Sequence, residues 1–86
     1  MKELTVELVT PQGKLFEDQA QAVTLPGATG SFQVLFNHAP IVSALDKGTV
    51  KIKQTGGEKR YTIEGGFVEV SANKVAILAE RATEVA

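Results

Sequence analysis

Residues 25–45 read Leu-Pro-Gly-Ala-Thr-Gly-Ser-Phe-Gln-Val-Leu-Phe-Asn-His-Ala-Pro-Ile-Val-Ser-Ala-Leu, and the rest of the chain is understood from them. A Pro-Gly turn signal opens the stretch. The apolar run Phe32-Gln33-Val34-Leu35-Phe36 follows, breaks at Asn37-His38-Ala39-Pro40 and resumes at Ile41-Val42. Short apolar runs punctuated by Pro, Gly and Asn are the pattern of strands and turns. The stretch also holds the only His and two of the three prolines.

The same punctuation recurs outward from it. Turn signals stand at Thr10-Pro11-Gln12-Gly13, Asp46-Lys47-Gly48, Gly56-Gly57, Gly65-Gly66 and Ala72-Asn73. From Pro40 onward the gaps are about 8–10 residues, the rhythm of an all-β sandwich or barrel. Between turns the period is two. Leu4, Val6 and Leu8 alternate with Glu3, Thr5 and Glu7, and Val50 and Ile52 with Lys51 and Lys53. Tyr61 and Ile63 alternate with Thr62 and Glu64, and Val68 and Val70 with Glu69 and Ser71. Each pattern predicts a strand with one buried and one wet face. Two segments break the alternation, Phe32–Phe36 and Val75–Ala79, and are expected to be buried on both sides or to face a partner. Gly65-Gly66 inside an apolar pattern also marks a bulge or a close backbone approach. Glu80–Ala86 is polar and small and could start a helix, although one short turn is marginal alone.

Eighty-six residues suffice for one domain, 1–86, with one core. A domain this small buries only about 60–65% of its unfolded surface, so apolar surface is not left outside unless a partner covers it. The net charge of −1 gives no footprint for nucleic acid or an anionic membrane. With no Cys, a disulfide framework and a thiolate metal site are excluded. Met1-Lys2-Glu3 leads straight into an alternating segment, so no signal peptide is expected. No apolar run reaches the ~20 residues that cross a bilayer, so direct membrane insertion is not expected.

Histidine is the usual general base, but the nearest acid to His38 in sequence is Asp46 and no activated nucleophile stands nearby. One His without Cys does not make a zinc site. A ring hydrogen bond that locks the turn is the expected role; no catalytic residue, metal or cofactor is assigned. Pro40 fixes its own φ and pushes Ala39 to extended geometry, so Asn37–Pro40 is a stiff corner that loses little entropy on docking. Gly27-Ala28-Thr29-Gly30 lacks the Gly-Lys-Ser/Thr ending and the helix of a phosphate loop. Lys51, Lys53, Lys59 and Arg60 are expected to meet Glu58 and Glu64 across a hairpin on a solvated face.

The order of these motifs carries a resemblance. Pro11, Leu15-Phe16, Val23–Pro26, Gly27, Gly30, Phe32, Val34-Leu35, Asn37-His38-Ala39-Pro40, Gly48-Thr49-Val50, Ile63-Glu64-Gly65-Gly66-Phe67-Val68-Glu69-Val70 and Val75–Leu78 follow one another over residues 2–82. In this the chain resembles the N-terminal β-domain of the epsilon subunit of F-type ATP synthases (delta in mitochondrial naming). The His-Ala-Pro and Gly-Gly-Phe-Val-Glu-Val segments together are specific to it.

The resemblance implies a flattened β-sandwich of two antiparallel sheets, about ten short strands in all. It implies a non-catalytic rotor component of the central stalk that binds the gamma subunit and the c-subunit ring and acts on the catalytic head indirectly. Its place would be peripheral, on the cytoplasmic face of a bacterial inner membrane or the equivalent organelle side. Gamma contact is implied at Phe36, Asn37, His38, Ala39, Pro40, Ile41 and Val42, and Ile41→Asp is expected to weaken it without unfolding the domain. Ring contact is implied at Gly27, Ala28, Thr29, Gly30 and Ser31. Some relatives carry an acid in that loop; here it is uncharged, so hydrogen bonding and shape would have to serve. Gln33 and Phe36 stand where family members often have Gly and Pro. Relatives commonly continue into two C-terminal helices that inhibit ATP hydrolysis. A chain from Met1 to Ala86 is expected to lack them, as a naturally short protein or as part of a longer one. The alternative function is a stand-alone β-sandwich module for a protein or glycan, which needs a surface groove or exposed aromatics. An enzyme built on His38 has no assembled partners.

Overall fold

The computed structural model describes residues 3–85; Met1, Lys2 and Ala86, and the expectations on the chain's start and end, lie outside the described residues. Eight strands form: β1 Leu4–Thr10, β2 Gly13–Ala20, β3 Ala22–Gly27, β4 Gly30–Leu35, β5 Ile41–Gln54, β6 Gly57–Ser71, β7 Lys74–Ala79 and β8 Ala82–Val85. The fold class is all-β, as the alternation predicts, but the count is eight rather than about ten. The chain does not turn at Asp46-Lys47-Gly48 or at Gly65-Gly66. It runs through both, giving strands of 14 and 15 residues that pair without a change of register from Ile41↔Val70 to Gln54↔Gly57.

These two long strands serve both layers of the sandwich. The first half of β5 and the second half of β6 continue the order β2-β1-β7-β6-β5, which is layer I. The second half of β5 and the first half of β6 sit between β3-β4 and β8, which is layer II. Hydrogen bonding is therefore continuous through one ladder instead of being divided between two separate sheets. Nor is it antiparallel throughout: β1 and β7 pair in parallel from Thr5↔Lys74 to Val9↔Leu78.

The passage between layers has a local cause. Leu45 is buried on the layer I half of β5, and Val50 and Ile52 on the other half; β6 buries Tyr61 and Ile63, then Val68 and Val70. The odd spacing exchanges the inward and outward faces of both strands at the same level of the ladder. Gly65 and Gly66, with φ of 110° and 149°, supply the backbone that an L side chain resists. A Cβ on Gly66 would collide with the carbonyl oxygen of Leu78 and lie 2.9 Å from Ala79 Cα.

Strands β1 to β7 all contribute to one core, and Ala82 of β8 packs against it. Phe16 of β2 meets Tyr61 of β6 edge-on, with ring centroids 6.2 Å apart, tying layer I to layer II. The helix expected to begin in Glu80–Ala86 does not form over the described residues. Ala82–Val85 instead pairs with β6, from Ile63↔Ala82 to Arg60↔Val85. An open strand edge offers each residue a ladder hydrogen bond, whereas an isolated helical turn must first nucleate.

Candidate functional site

The corner after β4 is stiff because three separate groups hold it. The amide of His38 donates to Leu35 O at 3.0 Å, closing a turn in which Asn37 takes a φ of 66°. Asn is among the few side chains that tolerate this conformation. The Asn37 amide donates to Asn73 Oδ1 at 2.6 Å, and Asn73 Nδ2 donates back to Asn37 Oδ1 at 3.3 Å. Asn73 in turn accepts from the Thr5 amide at 2.9 Å. One asparagine in the β6–β7 turn thus ties the corner to β1. The ring of His38 donates from Nδ1 to Ala39 O at 2.7 Å, which is the bracing role the sequence predicts.

The corner residues do not all face the same way. Phe36 and His38 are half-buried, while Asn37, Ala39 and Pro40 are exposed. Ile41 turns inward and packs against the core, whereas Val42 is 73% exposed. A substitution that separates docking from folding therefore belongs at Val42, not at Ile41.

The loop Gly27–Ser31 lies at the other end of β4, about 17 Å of extended strand from the corner. Gly27 and Gly30 pair, leaving Ala28 and Thr29 as a two-residue hairpin tip. Gly27 is required by crowding: a Cβ there would lie 2.7 Å from Gly30 O and 2.9 Å from the Phe32 ring. The Ala28 amide donates to Ala44 O at 3.2 Å, bracing the tip on β5. A shallow groove of about 470 Å³ between Thr29–Phe32 and Ile41–Ser43 joins the loop to the corner strand.

A further surface was missed by the sequence reading. Across the outer face of layer I the ladder places Ala44, Phe67, Leu78 and Val9 side by side, from β5 through β6 and β7 to β1. Phe67 is 59% and Leu78 55% exposed. Together with Pro11 they line an apolar groove of about 650 Å³ with Glu80 as its charged residue. Gly66 lines it without a side chain. The neighbouring row across the same strands holds Val42, Glu69, Ala76 and Glu7, so the groove is continuous with the exposed side of the corner. Signals for this row existed. Burial of Val68 and Val70 forces Phe67 outward, and the unbroken apolar run Val75–Ala79 predicts a strand buried on both sides or facing a partner. The structure buries one face of this strand and leaves the other open: Val75, Ile77 and Ala79 are buried and Leu78 is not. Likewise in β4 Val34 is buried and Leu35 exposed.

The expected hairpin charges are rearranged. Glu58 takes Arg60 Nε at 2.7 Å, Glu64 lies 3.8 Å from Arg81, and Lys59 lies 3.4 Å from Glu84. Among the described residues no group of three His, Cys, Asp or Glu side chains is placed to hold a metal ion, and no helix is long and apolar enough to cross a membrane.

Residues 3–85 match the family described as ATP synthase, Delta/Epsilon chain, beta-sandwich domain. An ATP synthase epsilon chain of Desulfitobacterium hafniense is 41% identical over 78 residues, covering 91% of this chain and 59% of that one. The ATP synthase epsilon chain of Caulobacter vibrioides is 42% identical over 86 residues, covering the whole of both. This chain spans about three fifths of the length of the first of these relatives. Among solved structures, a chain in the mitochondrial ATP synthase of Euglena gracilis, seen with OSCP, F1 and c-ring, superposes with a TM-score of 0.91 at 24% identity. The superposition covers 98% of this chain and 54% of that one, and shows the shared fold.

Proposed function

We propose, from the premise that this chain belongs to the ATP synthase delta/epsilon chain family, that it is a coupling body of the central stalk. In this reading it binds the gamma subunit and rests on the c-subunit ring, so that proton-driven rotation reaches the catalytic head. It performs no chemistry itself, and its association with the membrane, on the cytoplasmic face in bacteria, runs through its partners.

The observation that carries the reading is the exposed apolar row Val9–Ala44–Phe67–Leu78 on the outer face of layer I. A small domain loses stability by leaving such surface wet, so the row is explained by a partner that covers it. It lies on paired strands, which do not yield under torque as a loop would. Gamma contact at the corner Phe36–Val42 extends this row through Val42. A stable grip takes on the order of 800 Å² per partner with a few apolar anchors, and Phe67, Leu78 and Val42 are such anchors. Ring contact is assigned to Gly27–Ser31, a tight tip whose Thr29 and Ser31 are exposed.

The test is binding of the purified chain to an isolated gamma subunit. Phe67 leaves roughly 120 Å² for a partner to cover, about 3 kcal/mol of burial, so Phe67→Asp should weaken gamma binding roughly a hundredfold. Wild-type affinity in a folded Phe67→Asp variant would remove the row from the interface. Failure of the wild-type chain to bind gamma at all would return the groove to the alternative of a stand-alone binding module.

A further inference from the structure

The net charge of −1 conceals a segregation of charge between the two outer faces. Layer I carries Glu7, Glu17 and Glu69 beside the apolar row, with Lys74 near Glu69 and with Lys14 held 3.0 Å from Glu7 and 3.2 Å from Glu17. Layer II is the reverse. Because Val50 and Ile52 point into the core, Lys51 and Lys53 of β5 point out, with Thr49 between Lys51 and Lys47. Arg60 of β6 and Arg81 stand on the same side, among Glu58 and Glu64. Those carboxylates are engaged by Arg60 and Arg81. Lys47, Lys51 and Lys53 have no carboxylate within ion-pairing distance among the described residues.

Folding explains part of this arrangement, because Lys53 stands opposite Glu58 and Lys47 opposite Glu64 in the β5–β6 ladder, but not all of it. Lys51 stands directly opposite Arg60 in the β5–β6 ladder, and like charges directly opposite weaken a strand pair. Glu58 is crowded by cations: the hydrogen bond from Arg60 holds its carboxyl below the ordinary carboxylate range, and the charges of Lys51 and Lys53 act in the same direction. One acid therefore serves three bases.

We propose that the outer face of layer II docks an extended acidic segment of a partner protein, lying along β5 with its carboxylates on Lys51 and Lys53. The two lysines are two residues apart on one strand face, about 6.8 Å, which is also the repeat of same-side residues in an extended partner. Gln33, Thr24 and Lys51 are cross-strand neighbours, so uncharged hydrogen-bonding groups flank the track. A cleft of about 320 Å³ lined by Lys47, Arg81 and Thr62 closes one end. The face lacks what other anionic partners require. Phe67, the aromatic ring most open to solvent, belongs to the opposite layer, so this face has no platform for stacking bases. Its exposed apolar side chains, Leu35 and Val85, stand at its two edges, so nothing central enters a bilayer. The proposal is independent of the stalk reading, since it uses the other face and needs neither gamma nor the ring.

The test uses the full chain and a fluorescent peptide of alternating Glu and Thr, with the Lys-Thr peptide, phosphatidylserine-rich vesicles and oligothymidylate as comparisons. The Glu peptide should bind at low ionic strength, shift the amide resonances of Lys51, Lys53 and Arg60, and lose affinity as salt shortens the Debye length. Lys51→Glu with Lys53→Glu should weaken it roughly tenfold, the loss of two exposed ion pairs. Lys51→Gln with Lys53→Gln should act in the same direction. The proposal is overturned if the Glu peptide does not bind, if the doubly reversed variant binds it equally, or if the shifted amides lie on layer I. Binding of vesicles or oligothymidylate in place of the peptide also overturns it.

Discussion

Replacing Gly66 by Ala should cost more stability than any other single-methyl addition in this chain. The new Cβ would collide with the Leu78 carbonyl and sit 2.9 Å from Ala79 Cα, both backbone atoms that cannot rotate away. The φ of 149° adds strain of its own, about 1–3 kcal/mol for an L residue held in such a region. Relief requires β7 to move away, breaking the Gly66↔Ala79 pairing. A buried group left unpaired there costs about 1–3 kcal/mol. The sum, about 2–6 kcal/mol, is a large fraction of the roughly 4–13 kcal/mol expected for a domain of this size. Thermal and urea unfolding should show a fall in Tm of at least ~8 °C.

Two neighbours separate the causes. Gly65→Ala keeps the strain, with φ at 110°, but its Cβ meets Leu45 O at an ordinary 3.7 Å; it should lose about 1–2 kcal/mol. Gly57→Ala, with open space and no positive φ, should stay within about 0.5 kcal/mol of wild type. A Gly66→Ala variant that melts with the Gly57→Ala control would refute the account of how β6 passes between layers.

Val42→Asp should leave the Tm nearly unchanged while weakening gamma binding, whereas Ile41→Asp should destabilise the fold by about 2 kcal/mol by setting a carboxylate against the core; paired melting and binding measurements check both. Asn73→Ala removes both side-chain bonds to Asn37 from a residue with φ of 62°, so about 1–2 kcal/mol should be lost, with faster amide exchange at Asn37 than at core strands. Because Arg60 lowers the folded value for Glu58, the ionised carboxylate is the form the fold favours. Its contribution is complete above the ordinary carboxylate range and is lost as pH falls through the lowered value. Tm measured from neutral into acid pH should therefore fall less steeply in Arg60→Gln than in wild type.

Local patterning made much of the fold legible. Where polar and apolar residues alternate cleanly, as in Leu4–Leu8, Val50–Ile52 and Tyr61–Ile63, burial follows the alternation residue by residue, because a strand has only two faces. The bend at the corner was equally readable, since Pro40 and His38 act on their own backbone, but its tie to Asn73 was not. Errors arose where one local signal serves two geometries. Asp46-Lys47-Gly48 reads as a turn and is not one, and Gly65-Gly66 reads both as a turn and as a close backbone approach and is the second, because glycine permits a bend within a strand as readily as a reversal. Ala82–Val85 has no strong preference of its own, and its state was chosen by the open edge of β6.

By itself, the order of residues determined that the chain would be β as far as Ala79, which side chains of the alternating segments would leave water, and where the stiff corner and the uncharged loop would stand. These depend on steric preferences and on burial of one strand face, which act over a few neighbours. Only the tertiary structure decided that two strands would be shared between layers, that β1 would lie parallel to β7, and that Val9, Ala44, Phe67 and Leu78 would meet in one row. Each of those is a pairing between residues far apart in the chain, set by which edges find hydrogen-bond partners and which faces close over the core. The same pairing sorted the lysines of β5 from Glu7, Glu17 and Glu69 of β1, β2 and β6, and so made two unlike surfaces from a nearly neutral sequence.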